Sequence, residues 1–380
     1  VGHPKLVGRR RAAVHTQTAT IMLGLLVATV GIMHGLDCDL SDSAVIELKW
    51  DIFASETGLF TVEGCEGVSP TLHLNIQQDY KFLQQDTSNW YHPVGFAYEP
   101  GGAHNTCPPD HPEECPELEG DAIQYYFKGK AVNDDESGFG LDEYEPFFFY
   151  PRDAWEEECG GGGCYVTLNV PNANVNTIFY FCHIHKAMSA KIVLKGAEAG
   201  ASPQFLDLLP PAPEITAFDE ACGTWNSEPY TSGGQKYQYC NGKHFLCGGD
   251  QDSTFNTCLA AIDCQMHQEM AVDTSPNRWA TFIRQMIPHH LNAVGMAKLI
   301  LKQSTFEEDG EGDSKGYDEL QNMAHDIINT QNAQITLMRG WLERYEASSS
   351  TQTEMCYDKC GHKDMGGRRL LFGYQPEPGC

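Results

Sequence analysis

Cys182-His183-Ile184-His185-Lys186-Ala187-Met188 is the stretch on which the reading of this chain turns. A strand-like run, Thr177-Ile178-Phe179-Tyr180-Phe181, leads into it, and a second, Ala190-Lys191-Ile192-Val193-Leu194, leads out. On a tight loop between paired strands, a thiolate, an imidazole three residues on and a thioether three beyond that can face one point. Soft sulfur with imidazole and a weak axial Met is a donor set that suits copper. A second imidazole is expected from an earlier strand, and His92, in Trp90-Tyr91-His92-Pro93-Val94-Gly95-Phe96, supplies it. Two alternatives stay open from the residues alone. His183, directly after the cysteine, competes with His185; or Cys182 belongs to a disulfide and the histidines lie on a surface loop.

Over roughly residues 45–197 these motifs resemble the cupredoxins, the plastocyanin and amicyanin group, and Cys-x2-His-x2-Met matches the short ligand loop of that family. The resemblance implies a Greek-key β-sandwich with His92, Cys182, His185 and Met188 as copper ligands.

Fifteen cysteines cannot all pair within one chain, and taking Cys182 as a ligand leaves an even set. Local bridges are expected for Cys107 with Cys115, Cys159 with Cys164, and Cys356 with Cys360, although spacing alone does not fix connectivity. This density points to an oxidising compartment. The N-terminus reads the same way: Lys5, Arg9, Arg10 and Arg11 precede an uncharged apolar run from Thr16 to Met33, the order of a secretory signal or signal anchor. Residues 16–36 are thus a possible membrane anchor. A net charge of -27, from 52 acidic against 25 basic side chains, disfavours nucleic acid and anionic membrane surfaces.

Beyond a Pro-rich connector the pattern changes. Five cysteines crowd 219–264 without a clear period, which reads as a disulfide-stapled segment packed on a neighbour. From about 275 the apolar positions follow helical spacing: Trp279, Phe282, Ile283, Met286, His290, Val294, Ala297 and Leu301. Thr274 or Ser275 is the expected cap, with Pro276 in the first turn. After an acidic break at 306–316, a second helix is expected from about Tyr317 to Tyr345, with Leu320, Met323, Ala324, Ile327, Gln331, Ile335, Met338 and Leu342 on one stripe. Six of the eleven methionines, Met266, Met270, Met286, Met296, Met323 and Met338, fall in these helices or just before them. Met286 with His290, and His289 with Met296, share helical faces, and thioether with imidazole suits Cu(I). The bland reading is a core in which Met fills gaps.

Phe282-Ile283-Arg284-Gln285-Met286-Ile287-Pro288-His289-His290, with Ala293, Met296 and Ala297, resembles a bacterial ferritin-like family of unknown function carrying a Met-Ile-Pro-His-His signature, over about 265–346. Some members of that family are linked to copper, which implies a Met/His metal site at Met286, His289, His290 and Met296, with Met323 and Met338 as further candidates.

The expected architecture is therefore multi-domain, α and β: a Greek-key β-sandwich followed by a small helical-hairpin or bundle domain. In chain order we expect a signal peptide or anchor at 1–37, the sandwich at 45–197, a Pro-rich linker at 198–218, a Cys-rich connector at 219–264, the ferritin-like helical domain at 265–346 and a Cys-containing tail at 347–380. The expected function is exported copper binding in a redox or copper-handling role, by electron transfer or metal binding rather than substrate turnover. A redox partner protein or larger assembly is the expected companion. The competing expectation is a disulfide-stapled scaffold in a cell-surface assembly. Multicopper oxidase chemistry needs several His-x-His pairs, and His183-Ile184-His185 stands alone. Glu-x-x-His, the mark of a di-iron helical bundle, does not occur.

Overall fold

In the computed structural model, the structure describes residues 35–76, 78–102, 104, 118, 122–132, 140–169, 176–197, 214–230, 240, 245–247, 252–303 and 314–346. The apolar N-terminal run, the Cys107–Cys115 and Cys356–Cys360 pairs and the 306–313 part of the acidic break lie outside the described residues. Eleven strands build two sheets: β1 Asp37–Asp39, β2 Val45–Asp51, β3 Leu59–Val62, β4 Thr71–Asn75, β5 Tyr80–Leu83, β6 Val94–Ala97, β7 Ile123–Phe127, β8 Lys130–Ala131, β9 Tyr165–Leu168, β10 Thr177–Cys182 and β11 Ser189–Lys195. One sheet runs β1-β4-β11-β10-β6 and the other β3-β2-β5-β9-β7-β8. Both are mixed, since β4 runs parallel to β1 and β11, and β2 parallel to β5.

The strands follow their alternation. In β2, Ile46, Leu48 and Trp50 are buried while Glu47 and Lys49 face outward, as a period of two requires of a strand with one wet face. β10 is buried along its whole length. Its inward residues Ile178, Tyr180 and Cys182 join the core between the sheets, and on the outer side Phe181 lies against Gly95 and Gly102, where a β-carbon would collide with its ring. Short helices α1 Leu141–Tyr144 and α2 Arg152–Cys159 add the buried rings of Tyr144 and Trp155. The bridge Cys159–Cys164 ties α2 to β9, and Cys38–Cys65 ties β1 to the segment after β3. The sandwich thus begins at β1, ahead of the boundary at residue 45 that the sequence suggested.

The C-terminal region is helical: α3 Ala217–Cys222, α4 Thr254–Glu269, α5 Arg278–Gln303 and α6 Ser314–Glu346. Ser253 caps α4 through the Asn256 amide, and Cys222–Cys258 and Cys240–Cys264 fasten the preceding segment to this helix. The boundary expected at 264/265 falls inside α4. Cysteines spaced for bridging interrupted the apolar period there and hid the helix. Helix α5 starts later than expected, at Arg278, with Asn277 accepting from the Trp279 amide at 3.0 Å. Pro288 lies within α5 and is buried.

The helical stripes are only partly buried. Ile283, Val294, Ala297, Ala324, Ile328 and Ile335 are covered, but Trp279, Phe282, Leu320 and Met323 are exposed. Trp279 and Phe282 instead meet edge to face, with centroids 6.0 Å apart. Helix α5 packs first against α6 and next against α4; Val294 and Ala297 join it to the core shared with the sandwich and α6, and Leu299 to α3 and α4. Periodicity reveals a stripe but not how far along it those partners reach.

All described residues fall in one compact unit, and the core of the sandwich continues into α5 and α6 through Val294, Ala297, Ala324, Ile328 and Ile335. Polar ties reinforce the contact. Arg339 of α6 grips Glu56 with two bonds of 2.5 and 3.3 Å, and buried Lys298 of α5 donates to the carbonyls of Ser55 and Glu56 at 2.8 and 3.0 Å. Lys186, in the 183–188 loop, pairs with Glu343 of α6 at 2.7 Å.

Candidate metal centre

β10 and β6 pair antiparallel with Cys182 opposite Val94. That register sets His92, two residues before Val94, beside the cysteine. The approach to His92 is tightly held. Asp86 caps the 3-10 turn Thr87–Asn89, Asn89 donates to the Leu48 carbonyl at 2.7 Å, and Gln84 clamps the next step, donating to the His92 carbonyl at 2.6 Å and accepting from the Val94 amide at 3.1 Å. Tyr91 takes a left-handed conformation (φ 68°), uncommon for a large residue, to complete the turn. Trp50 stacks on the His92 ring with centroids 4.0 Å apart. Room for that indole comes from Gly58, where a β-carbon would lie 2.1 Å from Trp50 Nε1.

The loop from β10 to β11 is closed by the Cys182 amide donating to the Met188 carbonyl at 3.1 Å, with Ala187 at φ 62° making the bend. His185 is thereby folded over the cysteine. Its amide donates to Sγ at 3.4 Å, and its Nδ1 lies 3.6 Å from Sγ, against 3.7 Å for His92 Nδ1. His92, Cys182 and His185 form a buried cluster whose ligand atoms all lie within 4.8 Å of one another. Met188, the next turn of the same loop, is 2% exposed. His183 points elsewhere: its Nδ1 is hydrogen-bonded to Glu145 and its Nε2 is 4.0 Å from Asp142. Of the two loop histidines, His185 faces the cysteine and His183 faces the acids. Cys182 is a buried free thiol, not half of a disulfide. Cys247 is also unpaired, so an odd cysteine count does not by itself single out Cys182.

Burial governs the protonation of all three groups. It pushes the Cys182 thiol up to about 12, against which the amides of His185 and Ile184 pull back. It holds His185 down at about 4, and His92 well below the usual imidazole range, where the neighbouring His185 ring adds to the effect and the Asn329 side chain opposes it. At neutral pH both imidazoles are therefore uncharged, with lone pairs to offer, while the sulfur carries a proton that a metal would displace.

A residue from the helices completes the surroundings. Asn329 of α6 places its carbonyl 3.3 Å from His185 Nε2 and its Nδ2 3.3 Å from the Trp90 carbonyl. Neither this residue nor Trp50 and Gln84 was expected from the sequence. The available signal was two asparagines, 329 and 332, set between Ile328 and Ile335 on an otherwise apolar face.

The second set of expected residues is less gathered. His290 is hydrogen-bonded through Nδ1 to the Met286 carbonyl and through Nε2 to Gln334, both at 2.8 Å. His289 and Met296 are exposed, as is Met323. Among the described residues, neither histidine joins a cluster of three or more His, Cys, Asp or Glu ligand atoms. A cavity of about 310 Å³ between α4, α5 and residues 224–227 is lined by Lys298, Arg339 and Met266, and by none of the three clustered residues.

Comparison with known proteins adds to this in one region. Residues 280–370 match a family described as a domain of unknown function, DUF305. That span is well under half of the chain. No curated protein matches. Among solved structures, the 2F4 variant of the McoA multicopper oxidase from the hyperthermophile Aquifex aeolicus is similar at 10% identity and a TM-score of 0.19, over 43% of this chain and 29% of that one. The chain spans less than a third of that protein's length, and at this level the likeness carries no weight for function. Four disulfides among the described residues mark an oxidising, exported setting. No helix among the described residues is long and apolar enough to cross a membrane.

Proposed function

We propose that this is a copper protein whose sandwich would hold one ion through His92, Cys182, His185 and Met188, in an electron-transfer or copper-handling role. The observation that carries the reading is the buried, unpaired thiol of Cys182 with an imidazole Nδ1 at 3.6 Å on one side and another at 3.7 Å on the other. The donor spacing fits a metal. Metal–sulfur and metal–nitrogen bonds of ~2.3 and ~2.0 Å set the two atoms about 3.5 to 3.7 Å apart across an angle of about 110 to 120°. Zinc would accept the same three atoms, but the buried thioether of Met188 favours copper. Bound copper supplies one-electron redox chemistry. The protein's own contribution is to hold two neutral imidazoles and a desolvated sulfur in place without water, so little has to move when the charge at the centre changes.

In the same reading Met286, His289, His290 and Met296 are a subsidiary soft-metal set on the helices, supported by their shared helical faces. The scaffold alternative loses its main support with Cys182 outside any disulfide. A redox partner or larger assembly and an N-terminal membrane anchor through residues 16–36 belong to this proposal as well.

The test is voltammetry of the copper-loaded full chain with zinc as competitor. A reversible one-electron wave that zinc does not displace is expected. Zinc bound in preference to copper, with no wave, would contradict the reading.

A further inference from the structure

The two imidazoles of the cluster have a second nitrogen each, and both second nitrogens lie toward α6. His185 Nε2 meets the Asn329 backbone carbonyl at 3.3 Å. His92 Nε2 is buried with no hydrogen-bond partner, and so is the side-chain oxygen of Asn329. The Asn329 amide is oriented by its Nδ2, which donates to the Trp90 carbonyl two residues before His92. A buried polar atom left unpaired forfeits its hydration with nothing in return. Here a lone donor-capable nitrogen on His92 and a lone acceptor oxygen on Asn329 belong to residues brought together by the Asn329 contacts to Trp90 and His185, and each is what the other lacks. Asn332, one turn along α6, is buried with both amide atoms unpaired as well. A helix face selected only for packing would not carry two such residues. The outer nitrogen of a metal-binding histidine, when it donates, fixes the tautomer that leaves the inner nitrogen free to ligate.

We propose that Asn329 is a positioning residue for the metal centre, holding the outer nitrogens of both imidazoles from α6 so that seating of the helical hairpin aims His92 and His185 at Cys182. The assignment rests on the copper reading above for its purpose, but not for its geometry. It makes the helices part of the centre rather than an appended module. The backbone carbonyl serves His185 and the side chain serves His92, so the two histidines respond differently to substitution.

The experiment is long-range proton–nitrogen NMR on the full chain labelled at histidine, without metal and then with copper, for wild type, Asn329→Ala and Asn329→Asp. In the metal-free wild type both rings are expected as Nε2–H tautomers. Asn329→Ala should release His92 to Nδ1–H or a mixture while leaving His185 unchanged, and should speed loss of copper to a chelator about tenfold or more. Asn329→Asp keeps an acceptor and should keep the His92 tautomer, and it decides the matter if the alanine variant does not fold. A His92 tautomer unchanged in Asn329→Ala, or lost in Asn329→Asp, would overturn the proposal. Wild type that takes up no copper yet shows these tautomer changes would contradict the copper reading alone. Copper uptake with tautomers indifferent to Asn329 would contradict the Asn329 assignment alone.

Discussion

Two regions of this molecule carry sulfur and imidazole, and the fold treats them in opposite ways. At the sandwich end, His92, Cys182, His185 and Met188 are all essentially excluded from water, and two strands, a short loop and a helix converge to hold them. On the hairpin, His289, Met296 and Met323 face solvent, and both ring nitrogens of His290 are engaged by oxygen atoms. The difference teaches that donor residues at suitable spacing become an enclosed, gathered site only where surrounding structure fixes their direction. Trp50, Gln84 and Asn89 do that for His92, and nothing comparable gathers the hairpin set.

The comparison breaks first under acid. Folded His185 titrates at about 4 against an ordinary 6.5. Between those values the unfolded chain binds the proton and the folded chain does not, so stability is intact above about pH 6.5 and falls as pH drops toward 4. A shift of this size is worth about 3 kcal/mol for His185 alone. His92 is displaced the same way, as are His104 and His325, both to about 4. Denaturant melts of the metal-free chain at pH 7 and pH 4.5 should show the loss. A stability flat across that range would mean that the imidazoles are wet and that the site is no more enclosed than the hairpin.

Gly58→Ala comes next. The added carbon intrudes on Trp50 at a left-handed backbone position, so a cost of about 2–3 kcal/mol is expected, with weakened copper binding through His92. Thermal unfolding together with a copper titration checks both. The smallest effect belongs to the hairpin surface, where His289→Ala and Met296→Leu should change stability by less than about 0.5 kcal/mol. A lower number of coppers bound in that double variant would show that the hairpin binds metal despite its exposure, and would sharpen the contrast from site against surface to tight site against loose one.

Much of the sandwich end was legible because its signals are local. The flanking runs of the ligand loop and the Trp90–Phe96 context of His92 each operate within a few residues. What escaped reading depends on distant contacts. Trp50 reaches His92 across more than forty residues, and Asn329 reaches His185 from another module. Helix α4 was missed because Cys258 and Cys264 serve bridges rather than a stripe. The exposed Trp279–Phe282 end of α5 was misplaced because spacing defines a face without saying what covers it.

The central claim, that Cys182 is a copper ligand rather than a buried spectator, is tested most directly by visible absorption and EPR of the full chain after addition of Cu(II), beside Cys182→Ser. The account predicts an intense thiolate charge-transfer band with narrow copper hyperfine splitting in the wild type, both lost in the variant. A copper spectrum unchanged by Cys182→Ser would contradict it and would move the metal to the hairpin.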